Sequence, residues 1–199
     1  MKTVLSRLSV LIIAFLFFNC SSDSGDTPSG DKPCVPITCL NGGTSSPECG
    51  CNCPQGYTGS NCSTQITPTK ITITKIRITK FPNLQSDGSY WDSFSGIPDI
   101  YVKFLKGSNP LFTSEYYSDA ISTGTGFYDF TPTTPIEIVD VNTPYILSLF
   151  DYDSYPLIDD NMGITAFYLY SSSIGFPTTI SLGTSTDAIR YELTLSYSW

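Results

Sequence analysis

The run Lys70-Ile71-Thr72-Ile73-Thr74-Lys75-Ile76-Arg77-Ile78-Thr79-Lys80 sets isoleucine against polar residues along its length. Side chains on a strand alternate between two faces, so this pattern belongs to a strand with one buried and one wet face. Further runs rich in Tyr, Thr, Ile and Phe follow at Ile100–Leu105, Leu111–Tyr117, Gly126–Phe130, Pro135–Val139, Tyr145–Phe150, Gly163–Tyr170 and Ile189–Trp199. Turn residues separate them at short intervals, and no helical period of useful length intervenes. The expected fold is all-β: an eight-stranded antiparallel β-sandwich over residues 70–199, long enough for a core of its own.

Two acidic loops punctuate these strands. The alternating run Tyr145-Ile146-Leu147-Ser148-Leu149-Phe150 leads into Asp151-Tyr152-Asp153-Ser154-Tyr155-Pro156-Leu157-Ile158-Asp159-Asp160-Asn161-Met162-Gly163. Two like charges about 4 Å apart repel by on the order of 4 kcal/mol at an effective dielectric of ~20. Four carboxylates in one loop must therefore point apart, share protons or hold a cation. Calcium takes roughly six to eight oxygen ligands, so the composition suits it; a solvated acidic turn is the plainer alternative. The earlier loop, Phe81 to Asp99, carries Asp87, Asp92 and Asp99 and opens into Ile100-Tyr101-Val102-Lys103-Phe104.

Taken together, these two loops and their strands resemble a C2 domain. That family has a first loop with two aspartates, the second opening an Asp-x-Tyr-Val-Lys strand, and a later loop of the form Asp-x-Asp and Asp-x-x-Gly. The resemblance implies a C2-like sandwich with side-by-side loops that bind calcium. Matched residue by residue, it assigns Asp92 and Asp99 to the first loop and Asp151, Asp153 and Asp160 to the second. Both loops are one residue longer than the common spacing, which leaves Asp87 as a rival to Asp92 and Asp159 as a rival to Asp160. The loops also carry Tyr90, Trp91, Phe94 and Ile97, and Tyr155, Pro156, Leu157 and Ile158. Apolar tips beside a cation suit a membrane or ligand contact through Trp91, Phe94, Tyr155, Leu157 and Ile158, since Trp and Tyr favour the water–membrane boundary. The other reading is that they cap the end of the sandwich as core.

Ahead of the sandwich, Cys34, Cys39, Cys49, Cys51, Cys53 and Cys62 fall within one short segment, and no cysteine follows. So short a segment builds little core, which makes disulfides its natural support. Six cysteines allow fifteen pairings. The stretch Cys51-Asn52-Cys53-Pro54-Gln55-Gly56-Tyr57-Thr58-Gly59-Ser60-Asn61-Cys62, with Asn41-Gly42-Gly43-Thr44 before it, resembles an EGF-like domain. It departs at the third half-cystine, where Ser45 stands and Cys49 must substitute. The resemblance implies the pairs Cys34–Cys49, Cys39–Cys51 and Cys53–Cys62. The acidic motif of calcium-binding EGF-like domains is absent before Cys34.

The N-terminus has basic Lys2 and Arg7, an apolar run Val10 to Phe18 too short to span a bilayer, and then Asn19-Cys20-Ser21-Ser22-Asp23. This order resembles a bacterial lipoprotein signal in which Cys20 is lipidated, although Phe17-Phe18-Asn19 departs from the usual box. Removing Cys20 from the seven cysteines leaves the even set of six that an oxidising compartment requires. The expected organisation is a signal peptide (1–19), a flexible tether (20–33), an EGF-like module (34–62), a linker (63–69) and the sandwich (70–199).

The chain has no histidine, which removes His-based catalysis and His-ligated metals. No Gly-rich phosphate loop precedes a helix. A net charge of −8 disfavours nucleic acid. The expectation is a non-enzymatic protein, lipid-anchored in the cell envelope, at the outer membrane and surface-exposed. Its C2-like domain would use calcium to engage phospholipid or another anionic envelope ligand, protein or glycan. The alternative is a structural protein–protein adhesion module in which calcium only stiffens the loops.

Overall fold

The computed structural model describes residues 35, 37–92 and 96–199. The expected signal peptide, Cys20, the tether, Cys34 with its implied bridge to Cys49, and Phe94 all lie outside them. Every regular element among the described residues is a β-strand, and no helix is long and apolar enough to cross a membrane.

The first elements are two-residue strands: β1 (Thr44–Ser45) pairs β2 (Cys51–Asn52), and β3 (Tyr57–Thr58) pairs β4 (Thr64–Gln65). Cys39 is bonded to Cys51 and Cys53 to Cys62, two of the pairs the EGF resemblance implies, and Cys49 is disulfide-bonded as well. Nine longer elements follow: β5 (Lys70–Lys80), β6 (Ile100–Lys106), β7 (Asn109–Thr113), β8 (Tyr128–Phe130), β9 (Ile136–Ile138), β10 (Pro144–Asp151), β11 (Asp160–Tyr168), β12 (Thr179–Leu182) and β13 (Arg190–Ser198).

These form two antiparallel sheets. One has the order β11-β10-β6-β7; the other runs β12-β13-β5, with β8 and β9 one after the other along the remaining edge of β5. Each sheet thus has four lateral positions, the eight of the expected sandwich, because two short strands share one of them. Their inner faces meet in one core that includes Ile71, Ile73, Ile76, Ile78, Val102, Phe104, Leu147, Leu149 and Leu193, all fully buried. Burying each such side chain contributes roughly 1.5–3 kcal/mol relative to leaving it in water.

Alternation along β5 is not strict, contrary to the sequence reading. Thr74 and Lys75 are consecutive polar residues between Ile73 and Ile76, so a regular strand would turn one isoleucine pair outward. A bulge absorbs the slip: Thr194 of β13 faces Lys75 while Leu195 faces Ile73, leaving Thr74 as the extra residue. All four isoleucines then point inward. Elsewhere, Thr179–Leu182 is a strand the sequence reading missed, and β7 ends at Thr113 instead of continuing to Tyr117. Beyond Thr113 the regular ladder ends, and the chain holds to β6 through Ser114, whose N–H donates to the Val102 carbonyl at 3.0 Å, and through the bridge of Ile100 with Tyr117.

The disulfide segment packs directly on the sandwich, and residues 36–199 form one compact unit. Gly56 holds a positive φ of 88° against the rings of Phe176 and Trp199, where an added Cβ would lie 2.4 Å from Phe176. Tyr57 meets Phe176 edge-on, and the Trp199 indole N–H donates to the Ile66 carbonyl at 3.0 Å.

Candidate functional site

Strand β10 positions the central residue. Tyr145, Leu147 and Leu149 face the core, and the same period of two places Asp151 inward at the strand's end. Asp151 is accordingly 0% exposed, a carboxylate at the rim of an apolar core. Its Oδ1 accepts the main-chain N–H of Asp99 at 2.6 Å, and the Tyr152 N–H donates to the Asp99 carbonyl at 2.8 Å. The two acidic loops are therefore stitched together at this point. The other oxygen, Asp151 Oδ2, is buried with no hydrogen-bond partner among the described residues. A buried charge left without a partner is among the costlier features a fold can carry.

Electrostatics agrees with the geometry. Burial pushes the Asp151 carboxyl up to about 7 against the pull of the Asp99 N–H, and the charges of Asp92, Asp153 and Asp99 push the same way as burial. Asp153 is also raised, first by burial and then by Asp160, Asp92, Asp159 and Asp99. The fold thus brings Asp92, Asp99, Asp151, Asp153 and Asp160 within reach of one another's fields. Among the described residues no three of them converge on a single point at ligand distance as they stand.

The two rivals differ. Asp87 is exposed in a turn of its own, its carboxylate accepting the Ser89 N–H at 2.9 Å and the Ser89 hydroxyl at 2.6 Å. Those bonds hold it below the usual carboxylate range, and it contributes to neither raised aspartate. Asp160 pairs directly with Asp151 across the ladder, and cross-strand partners share a face. Asp159 stays beside Asp153, whose main-chain N–H donates to its Oδ1 at 3.1 Å, while Tyr101 donates its hydroxyl to Asp159 Oδ2 at 2.6 Å, so both its oxygens are already engaged. A bulge between Leu149 and Phe150, which leaves Met162 as the extra residue, takes up the added length of this loop.

The apolar loop residues divide. Tyr155, Leu157 and Ile158 are 95%, 59% and 86% exposed, standing together on the tip of the second loop. Trp91 does not join them: it is half-buried against the core, and its indole N–H donates to the Pro82 carbonyl at 2.9 Å. An indole that can satisfy its N–H while burying its rings gains more from the core than from the tip. Sequence reasoning also missed Asp119, whose main-chain N–H holds Asp99 Oδ1 at 2.8 Å, and the parallel stack of Tyr116 on Tyr152.

The donor chemistry fits a hard divalent cation. An orphaned buried oxygen beside several mutually repelling carboxylates is what an oxygen-seeking ion would complete. No protein-family model and no curated protein matches this chain. Solved structures do. One titled as the structure of a C2 domain is 18% identical over 64% of this chain and 97% of its own, with a TM-score of 0.42. Human GIVD cytosolic phospholipase A2, in complex with a fluorophosphonate inhibitor and terbium chloride, is 16% identical over 66% of this chain and 18% of its own, with a TM-score of 0.43. A structure of the SMP domain and two C2 domains of Extended-Synaptotagmin 2 is 18% identical over 66% of this chain and 27% of its own, with a TM-score of 0.40. The two-sheet antiparallel architecture stands on the strand pairing itself.

Proposed function

We propose that this chain is a calcium-dependent binding module of C2 type that docks on a phospholipid or other anionic envelope surface. The observation that carries the proposal is Asp151 Oδ2, without a hydrogen-bond partner among the described residues and buried where the two acidic loops are stitched together. Asp92, Asp99, Asp151, Asp153 and Asp160 would hold the ion, and Asp87 and Asp159 would not. Bound calcium supplies charge neutralisation and open coordination positions for phosphate or carboxylate oxygens of the target. The chain's own part is to gather the carboxylates and to present Tyr155, Leu157 and Ile158 beside them. Apolar side chains next to a neutralised acidic cluster bury readily at a lipid boundary.

The same proposal places the module in the cell envelope, exposed at the outer membrane, on a lipid at Cys20 and behind an EGF-like spacer at 34–62. The Cys20 motif and the even set of remaining cysteines support that placement. It also makes the chain a binder and not an enzyme, which the lack of histidine supports. Because Cys20 would already fix the protein to one membrane, the loops would engage a facing surface or another envelope component.

A protein–protein adhesion module in which calcium, if bound, only stiffens the loops is the second reading. It is favoured by the lack, among the described residues, of three carboxylates converging at ligand distance. Flotation of the soluble fragment with phosphatidylserine vesicles separates the two. Calcium-dependent recruitment supports the docking module; no recruitment at any calcium concentration supports adhesion.

A further inference from the structure

The outer face of the β10–β6 sheet, beside the second acidic loop, carries a further feature. Tyr101 and Phe150 are cross-strand partners whose rings stack 5.3 Å apart, and the Lys103 ammonium lies over both, 4.4 Å from the Phe150 centroid. Next to them Tyr116 and Tyr152 stack at 4.6 Å with their planes 8° apart, 47% and 36% exposed. Tyr101, Lys103, Tyr116 and Tyr152, with Glu115 and Asp159, line an open cleft of about 390 Å³. A second hollow of about 470 Å³ adjoins it and shares Thr113, Ser114, Glu115 and Tyr116 as a common wall. Both volumes fall in the range of small-ligand sites, about 300–1,000 Å³.

We infer that this cleft is a saccharide-binding site that takes a neutral pyranose ring against the Tyr116–Tyr152 pair. The lining selects among ligand classes by charge. A phosphate or sulfate group would meet the carboxylates of Glu115 and Asp159 with Lys103 alone in the lining to offset them. A quaternary ammonium would meet the Lys103 ammonium set over the same rings. A neutral polyol suits both signs: its hydroxyls donate to the carboxylates and accept from Lys103. Its C–H face covers exposed tyrosine, a rigid surface that is apolar in its body and polar at its rim. The Tyr101–Asp159 hydrogen bond fixes one acceptor in the wall before any ligand arrives. The adjoining hollow across Thr113–Tyr116 leaves room for a second sugar unit.

The lining takes Tyr152 and Asp159 from the second acidic loop, so the site is tested both in EDTA and in calcium, and the outcomes below are read in both. The probes are the methyl pyranosides of glucose, galactose, mannose and N-acetylglucosamine, read by saturation-transfer NMR on the chain from residue 21 onward, which keeps Cys34 for its implied bridge to Cys49. Saturation transfer to at least one glycoside with Kd near ~1 mM is expected, weakened roughly tenfold by Tyr116→Ala and by Tyr152→Ala while the circular dichroism spectrum is retained. Glu115→Gln, which keeps the shape and removes the charge, should weaken binding less. Recruitment to phosphatidylcholine vesicles carrying glucosylceramide, without binding of any free glycoside, would place the same sugar on a lipid headgroup. The inference is overturned by silence from all glycosides and glycolipid vesicles at ~10 mM sugar. Binding that both tyrosine variants leave unchanged overturns it too, as does a stronger response to inositol hexakisphosphate than to any sugar.

Discussion

The main-chain N–H of Asp99 donates to Asp151 Oδ1 at 2.6 Å, so a buried carboxylate from one loop is held by the backbone of the other. This bond spends one oxygen on architecture and leaves Oδ2 for whatever the loops bind. Asp151→Asn tests the division. The amide keeps an acceptor for Asp99 and removes a buried charge, so without calcium the variant should melt at the same temperature or a few degrees higher. With calcium, its melting temperature should no longer rise. Paired thermal melts in EDTA and in calcium check both halves.

The pH dependence follows from the same residue. The Asp151 carboxyl is raised from 3.8 to about 7, so the folded state binds its proton more tightly than the unfolded state. Its contribution to stability is complete below the unfolded value and is lost as pH rises through the folded one. In EDTA the melting temperature should therefore fall as pH increases across that window. Saturating calcium should remove the fall by stabilising the ionised form. A melting temperature in EDTA that is flat or rising across the window contradicts this.

Leu157 and Ile158 stand on the tip of the second loop, 59% and 86% exposed. Replacing both by Ala should leave calcium uptake intact and cut vesicle recruitment at least tenfold, each lost side chain being worth on the order of 1 kcal/mol or more at a lipid boundary. Co-sedimentation beside calorimetry measures the two quantities separately. Trp91→Phe keeps the core packing but loses the bond to Pro82, and should lower stability without changing recruitment.

Gly56 meets Phe176 and Trp199 with a φ that L-residues avoid. Gly56→Ala must move one of these rings, and should destabilise the chain by about 2 kcal/mol or more. Urea denaturation followed by tryptophan fluorescence checks this, because Trp199 reports the joint directly.

Much of this fold was legible from alternation. The isoleucines of β5 follow the period of two on either side of Thr74-Lys75, the inward series Tyr145, Leu147, Leu149 and Asp151 follows it throughout, and the last of these is the buried carboxylate. What alternation hides is register. The bulges at Thr74 and Met162 depend on the partner strand, and the latter puts Asp160 on the Asp151 face and Asp159 against Tyr101. Thr179–Leu182 escaped notice because an edge strand of four residues holds only Ile180 and Leu182 as apolar signal. The cleft of Tyr116 and Tyr152 joins residues far apart in the chain, and no local pattern announces it.

The most direct test of the central claim is calcium titration calorimetry on the soluble fragment, wild type beside Asp151→Asn with Asp153→Asn. The account predicts saturable calcium uptake by the wild type and its loss in the double variant, with the fold retained. No uptake by the wild type, or uptake unchanged in the double variant, would contradict it.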